Sequence, residues 1–133
     1  MATTVKTSNN GLGRRKTAVA RVYLKSGKGA ITINGKEADK YISLKYLLDR
    51  AIKPLHVAAQ EGKFDVTINV KGGGIKGQAE AISLGITRAL IKIDEALKPA
   101  LKKESLTTRD PRMVERKKFG HKKARKSFQF SKR

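Results

Sequence analysis

The feature that most restricts the fold of this chain is the point at which its apolar periodicity stops. Apolar residues recur at regular spacings only as far as Leu106. The last 25 residues, 109–133, carry 11 basic and 2 acidic side chains, and their few apolar residues share no face. Such a segment cannot bury enough surface to offset a loss of chain entropy of about 1 to 2 kcal/mol per residue. We therefore predict a globular body over 1–108 and an extended basic tail over 109–133.

The body contains three stretches in which apolar and polar residues alternate. They run from Arg14 to Lys25, from Ile31 to Ile33 and, most regularly, from Phe64 to Lys71. A period of two predicts strands with one dry face. The turn residues 26–29 predict that the first two strands form a β-hairpin, which ends at Asn34-Gly35.

Helical spacing of apolar residues follows the second stretch and the third. Residues 44–52 predict a helix with Ser43 as a plausible N-cap, stopped or kinked by Pro54. A longer helix is predicted from about Gln78 to Leu97, with Pro99 marking its end. A further short helix passes through Leu101 and Leu106. The order β-β-α-β-α predicts a two-layer α/β (α+β) body in which helices cover one face of a small mixed sheet.

Charge and composition exclude several classes of protein. The chain has 31 Lys and Arg against 11 Asp and Glu, a net charge of +20, and such self-repulsion calls for a polyanionic partner. It has no cysteine and two histidines, so we expect no disulfide and no metal site. Because the chain has no long apolar run and no signal-peptide core, we predict that it neither inserts into a membrane nor is secreted. The leading expectation is a cytoplasmic protein that binds nucleic acid.

A glycine run provides the main hint of an enzyme. Gly72–Gly77 fits G-x-G-x-x-G between a predicted strand and a helix, as in dinucleotide-binding proteins. That fingerprint also needs an acidic residue after a second strand, whereas Asp94 and Glu95 fall within the same predicted helix. The glycine amides suit either a close approach to phosphate or a simple tight connection. The sequence around Ser83 resembles a nucleophile elbow, but Ser83 lies inside a predicted helix rather than at a strained turn. We predict no enzyme activity and no cofactor.

The basic clusters are the strongest functional signal. At the start of the first predicted strand, Arg14 and Lys16 point to one side and Arg15 to the other, and Arg21 and Tyr23 continue the wetter face. A basic strand surface with one aromatic suits RNA phosphates and a stacked base, although a solvated charged face is the alternative.

The tail has more cations than solubility requires and lacks the apolar face of a membrane-surface helix, so phosphate is its better partner. The predicted RNA-binding residues of body and tail are Arg14, Arg15, Lys16, Arg21, Lys71, Gly72, Gly73, Gly74, Lys76, Arg109, Arg112, Arg116, Lys117, Lys118, Lys122, Lys123, Arg125 and Lys126.

Over nearly its whole length the sequence resembles the bacterial small-subunit ribosomal protein nine family. The departures from the family pattern are Ser83-Leu84, where Arg-His is frequent, and Ser127-Phe128, where Ala-Pro is usual. The matching stretches are Gly13-Arg14-Arg15-Lys16-Thr17, Ala20-Arg21-Val22, Gly72-Gly73-Gly74, Gly77-Gln78-Ala79, Gly85-Ile86-Thr87-Arg88-Ala89-Leu90, Thr108-Arg109-Asp110-Pro111-Arg112, Val114-Glu115-Arg116-Lys117-Lys118 and Gln129-Phe130-Ser131-Lys132-Arg133.

The resemblance implies a structural component of the small-subunit head that binds the subunit's ribosomal RNA and lies beside other head proteins. It implies a tail that threads toward the peptidyl site, where Lys132 and Arg133 touch the anticodon stem-loop of the tRNA. It also implies a left-handed β-α-β crossover, against the usual right-handed rule. Two alternatives remain open: an architectural protein that coats duplex DNA, and a nucleotide-using enzyme that depends on the glycine run.

Overall fold

The computed structural model describes residues 9–60, 62–113 and 116–126, which form one mixed sheet with helices. Its elements are β1 (Asn9–Arg15), β2 (Ala18–Ser26), β3 (Ile31–Ile33), β4 (Lys36–Glu37), α1 (Ala38–Tyr41), α2 (Lys45–Val57), β5 (Phe64–Lys71), α3 (Ile75–Ile93), a 3-10 turn (Glu95–Leu97) and α4 (Lys98–Lys103). No helix in the described ranges is long and apolar enough to cross a membrane.

The sheet has the strand order β1-β2-β5-β3-β4. β2 is antiparallel to both β1 and β5, whereas β3 runs parallel to β5 and antiparallel to β4. The predicted small mixed sheet is therefore confirmed. The connection between the parallel strands β3 and β5 contains β4, α1 and α2, and its left-handedness stays a prediction.

The predicted hairpin between the first two strands is wrong. β5 lies between β2 and β3, so these two strands do not pair. The 27–30 loop that joins them is held instead by the Asp65 carboxylate, which accepts hydrogen bonds from its backbone. The Asn34-Gly35 turn forms a hairpin of its own between β3 and β4, and both residues have positive φ, as the tight hairpin turns require.

The predicted first strand is in fact parts of two strands. The chain turns at Lys16 and Thr17, with Lys16 in the left-handed region at φ 52°, and β2 returns antiparallel to β1. Lys16 therefore lies in a turn rather than beside Arg14 on a strand. The alternation of Ala18 to Lys25 hides this turn, because it begins directly after Thr17.

The core lies on one side of the sheet, as predicted. α3 packs on β1 and β2, and α2 packs on α3. The large side chains that are almost completely buried come from both layers: Val22, Ile33, Ile42, Val66, Ile68, Ile82, Ile86, Leu90 and Leu101.

Three glycines let β1 lie directly on the backbone of α3. A Cβ atom at Gly13 would be 1.8 Å from the Ala81 carbonyl oxygen, and one at Gly11 would be 2.1 Å from the Gly85 carbonyl oxygen. A Cβ at Gly85 would be 2.7 Å from the Val22 side chain. Any larger residue at these positions would force the strand and the helix apart.

The helix boundaries differ from the prediction at both prolines. α2 begins after Leu44 rather than Ser43 and continues through Pro54 to Val57; burial of Pro54 and Leu55 offsets the lost backbone hydrogen bond. Pro99 stands in the first turn of α4 instead of ending the preceding helix, a position where its missing N–H has no intrahelical role.

The last long helix also begins and ends earlier in the chain than predicted. α3 starts at Ile75 and ends at Ile93, where the Asp94 side chain accepts a hydrogen bond from the Ala96 N–H and starts the 3-10 turn. The predicted short helix is confirmed as far as Lys103, with Leu101 fully buried.

Candidate nucleic-acid interface

The face of the sheet opposite the helices, which we call the open face, carries exposed cations. Arg14 of β1, Arg21 of β2 and Lys71 of β5 all point to this side, because they alternate with buried residues along their strands. Arg14 and Lys71 lie opposite Val19 from its two sides. Arg21 is two residues further along β2, about 7 Å away. Three positive charges therefore occupy neighbouring rows of one sheet surface.

An aromatic ring lies in the next row of the open face. Tyr23 is half-buried and pairs with Asn10 on one side and Thr67 on the other. A partly exposed ring beside cations offers a stacking surface for an unpaired base. The prediction that Arg21 and Tyr23 share the wetter face is confirmed by the burial pattern of β2.

A second basic region, the basic cleft, lies where α2, α3 and the first tail residues meet. It has a volume of about 300 Å³ and is reached by Arg14 from the edge of the sheet. Arg50 and Lys53 of α2 and Arg109 of the tail add three more cations. Arg15 lines it as well, so five cations outnumber the three carboxylates of the lining, those of Glu80, Glu104 and Asp110. The Nε atom of Arg109 is buried and finds no hydrogen-bond partner among the residues that the structure describes. The cleft therefore contains a donor suited to an incoming anion.

Arg15 is placed quite differently from its neighbour. Only 7% of it is exposed, and it faces α3. Its Nε donates to the Glu80 carboxylate at 2.5 Å, and one terminal nitrogen lies 3.1 Å from the Asp110 carboxylate and 3.2 Å from the Arg112 carbonyl oxygen. Arg15 thus ties the start of the tail to the body. Its predicted contact with RNA stays a prediction, and such a contact would compete with two carboxylates.

Two tail residues pair with each other beside this contact. The Arg112 guanidinium donates to both oxygens of Asp110, and its backbone N–H donates to one of them. These bonds hold the pKa of Asp110 well below its usual range and raise the pKa of Arg112. Asp110 is therefore ionised at any physiological pH.

The glycine run makes a tight connection. Gly72 and Gly73 have positive φ, and a Cβ at Gly72 would lie 2.5 Å from the Thr17 carbonyl oxygen. These glycines are thus explained by the close approach of the β1–β2 turn, the simpler of the two interpretations of the sequence. Gly74 and Lys76 are exposed at the start of α3. Their predicted phosphate contacts stay predictions.

The described tail residues beyond 115 are mainly exposed. The chain turns near Gly120, where the His121 N–H donates to the Lys118 carbonyl oxygen and the Lys122 N–H to that of Lys126. The predicted RNA-binding cations here are exposed: Arg116, Lys117, Lys118, Lys122, Lys123, Arg125 and Lys126. Lys132 and Arg133 lie outside the described residues.

Sequence reasoning missed Arg50 and Lys53. They are three residues apart on α2, so a helical projection would have placed them on one face. Arg50 also pairs with Glu80 at 3.0 Å, and Lys53 lies 3.6 Å from Glu104. Within the described ranges, no group of histidines and carboxylates could hold a metal ion.

Comparison with known proteins places this architecture among ribosomal proteins. The family model described as ribosomal protein S9/S16 matches residues 13–133. Proteins named small ribosomal subunit protein uS9 are similar along almost their whole length. The one from Chlorobaculum tepidum is 57% identical over 92% of this chain and 95% of its own. The one from Christiangramia forsetii is 60% identical over the same shares, and that from Cytophaga hutchinsonii 56% over 93% and 97%.

Proposed function

The chain belongs to the ribosomal protein S9/S16 family, and from this premise we propose that it is a non-enzymatic structural constituent of the cytoplasmic small ribosomal subunit that binds the subunit's RNA. The names of its relatives support the subunit. The observation that supports direct RNA binding is the open face, where Arg14, Arg21 and Lys71 occupy two adjacent rows of the sheet and a partly exposed tyrosine, Tyr23, occupies the row next to Arg21.

The open face fits RNA through two kinds of contact. Arginine guanidinium groups donate paired hydrogen bonds to phosphate oxygens, while Lys71 acts as a point charge. Tyr23 offers a ring on which a splayed base can stack. Phosphate contacts position the protein without reading sequence, so the three-dimensional shape of the RNA decides where it docks.

The basic cleft and the tail extend this interface. The unpartnered Nε of Arg109 provides a donor at the point where the tail leaves the body. The tail carries 11 of the chain's 31 cations, so it supplies a large part of the electrostatic attraction. Its cations would neutralise phosphates along the path of the RNA strand.

The first test measures how affinity for purified subunit RNA depends on salt. Replacing Arg14, Arg21 and Lys71 together by glutamine should flatten the log–log slope by about 2 to 3 units, and removing residues 113–133 by about 4 to 5 units. The control replaces Lys40, Lys45 and Lys98, which are exposed elsewhere. If the open-face variant and this control have the same slope, the open face does not bind RNA.

We also propose that the tip of the tail contacts tRNA in the peptidyl site. The support is the family resemblance of residues 129–133 and the reach of the tail, since 25 extended residues span roughly 80 Å. Deleting Lys132 and Arg133 should leave subunit assembly intact, because nine tail cations remain. Retention of tRNA should weaken by about 1 to 3 kcal/mol, the scale of charge-assisted hydrogen bonds.

The measurement is the rate at which tRNA dissociates from purified subunits that carry the deletion. A variant with Lys132 and Arg133 replaced by Ser and Gln keeps the length and removes only the charge. Unchanged dissociation rates across a salt series would leave the tip as an ordinary RNA-packing segment.

A further inference from the structure

A groove on another part of the body has the opposite character to the basic cleft. It runs beside β3 and has a volume of about 470 Å³. Loop and strand residues form one wall, the start of α1 another, and Leu48 and Ile52 of α2 the third. The residues that line this acidic groove are Gly29, Ala30, Ile31, Thr32, Glu37, Ala38, Asp39, Leu48 and Ile52.

The charge of the groove is the reverse of that of the chain. Glu37 and Asp39 are exposed and line it, and among the residues that the structure describes no lysine or arginine lines it. The chain as a whole has almost three cations for each carboxylate, 31 against 11. Lys36 and Lys40 are close in sequence but do not line the groove. Two carboxylates repel phosphate and attract ammonium and guanidinium groups.

Part of the lining of the groove is apolar. Ile31, Leu48 and Ile52 pack against the core but keep part of their surface exposed. An RNA backbone cannot cover such a surface favourably, whereas an aliphatic or aromatic side chain can. The groove therefore favours a peptide over a nucleic acid.

One edge of β3 adds main-chain recognition. β4 pairs with Thr32 and Ile33, so in the described part of the chain Ile31, beside the groove, has no strand partner on that edge. An extended peptide can use such an edge for backbone hydrogen bonds while its side chains enter the groove. Self-association is disfavoured, because two copies of a chain with a charge of +20 repel each other.

We propose that the acidic groove docks a segment of another small-subunit protein that carries lysine or arginine next to a large apolar side chain. This rests on the proposed function, which makes the chain one of several proteins of the subunit. Glu37 and Asp39 pair with the cations, and Ile31, Leu48 and Ile52 cover the apolar side chain.

The test uses the full chain with a photoreactive benzophenone amino acid in place of Leu48, assembled into small subunits. The matched control carries it in place of Tyr46, which is exposed on the same helix but does not line the groove. We expect the Leu48 probe to crosslink at least tenfold more strongly than the control. The attached peptide should belong to one other subunit protein and contain Lys or Arg within a few residues of the crosslink.

A charge reversal sharpens the result. Glu37→Lys with Asp39→Lys should lower the Leu48 crosslink at least tenfold, while Asp49→Lys with Glu95→Lys should leave it within twofold. A probe in place of Thr32 repeats the test if the change at Leu48 disturbs folding.

Three results would overturn the inference: crosslinks to RNA, crosslinks to this chain itself, or yields no higher than at Tyr46. Sedimentation with the subunit distinguishes failure of the groove proposal from failure of the proposed function. If the variants enter the subunit but give no protein crosslink, the groove proposal alone fails; if the wild-type chain does not enter, the proposed function fails and the groove proposal with it.

Discussion

The two faces of the sheet differ in what each residue of β1 contacts. Gly13 and Arg15 face α3, where Gly13 touches helix backbone and Arg15 is almost fully buried. Arg14, between them, faces the open side and is exposed. Because successive side chains of a strand point to opposite faces, three consecutive residues divide between packing and binding. Similar residue types therefore take on unrelated roles one position apart.

The comparison teaches that charge alone does not identify an RNA contact in this protein. Arg14 and Arg15 are identical in sequence terms, but the guanidinium of Arg15 is already paired with Glu80 and Asp110. The physical difference is that Arg15 lies on the face of the sheet that the helices cover, which we call the covered face, and finds carboxylate partners there within the protein. Helix α3 supplies Glu80, and the tail supplies Asp110.

The largest effect should come from the covered face at Gly13. Gly13→Ser would place atoms within 1.8 Å of the Ala81 carbonyl oxygen, so strand and helix must separate. We expect the free energy of unfolding to fall by about 3 kcal/mol, near the upper end for overpacked cores. Urea denaturation of the free protein measures it.

The matched control for this change is Gly74→Ser. Gly74 is the N-cap of α3, and a Cβ atom there would have no heavy atom within 4 Å, so serine fits and also caps the helix. Its unfolding free energy should stay the same or rise slightly. Equal losses in the two variants would mean that the contact of β1 with α3 is looser than described.

A smaller effect separates the two neighbouring arginines. Arg15→Met removes the hydrogen bond to the Glu80 carboxylate and the ion pair with Asp110, and it leaves Glu80 without its buried partner. This should cost about 2 kcal/mol of unfolding free energy. Arg14→Met should stay within about 0.5 kcal/mol, as is usual for exposed sites.

RNA binding should respond to the two substitutions in the reverse order, with the larger change for Arg14→Met. Arg14→Met should flatten the salt dependence of RNA binding by about one unit, and Arg15→Met should leave it unchanged at temperatures where the variant is folded. A flatter slope for Arg15→Met would establish that Arg15 also contacts phosphate, as its sequence position suggests, and would break the comparison.

Local patterns predicted the elements well and their pairing poorly. The alternation from Phe64 to Lys71 gave the bounds of β5, since each of its side chains responds to the face it occupies. The hairpin prediction failed because β3 pairs with β5, more than thirty residues away, and no local pattern records that choice. The close contact of Gly13 with Ala81 joins residues about twice as far apart in sequence, so the glycines of β1 were not recognised as packing residues.

The residues of the candidate nucleic-acid interface divide in the same way, into those that local patterns predict and those that depend on distant contacts. Alternation placed Arg21 and Tyr23 correctly on the wetter face, because exposure is a local consequence of strand geometry. The burial of Arg15 and the basic cleft depend on where α2, α3 and the tail meet, which only the folded chain shows. The prediction for Pro99 was wrong for a related reason, since proline stops one helix and begins another equally well.

The smallest effect concerns a residue on the open side that serves the fold. One oxygen of Asp65 accepts hydrogen bonds from the N–H groups of Lys28, Gly29 and Ala30 at 3.0, 3.2 and 3.1 Å. These bonds, that of Ala30 above all, hold the pKa of Asp65 below its ordinary value of 3.8. A lowered pKa in the folded state means that ionised Asp65 stabilises the protein above pH 3.8, and that this stabilisation is lost as the pH falls toward the folded-state pKa.

Asp65→Asn should therefore lower the urea midpoint at pH 7 by less than either Gly13→Ser or Arg15→Met. The difference from wild type should shrink as the pH falls below 3.8, because wild-type Asp65 then becomes neutral as well. Asp49→Asn, which removes an exposed carboxylate on α2, is the control and should change the urea midpoint at pH 7 less than Asp65→Asn does. A difference that stays constant from pH 7 to the acid limit would show that the charge of Asp65 does not hold the 27–30 loop. Asp65 would then be no exception among the open-side residues, whose role is binding and not folding.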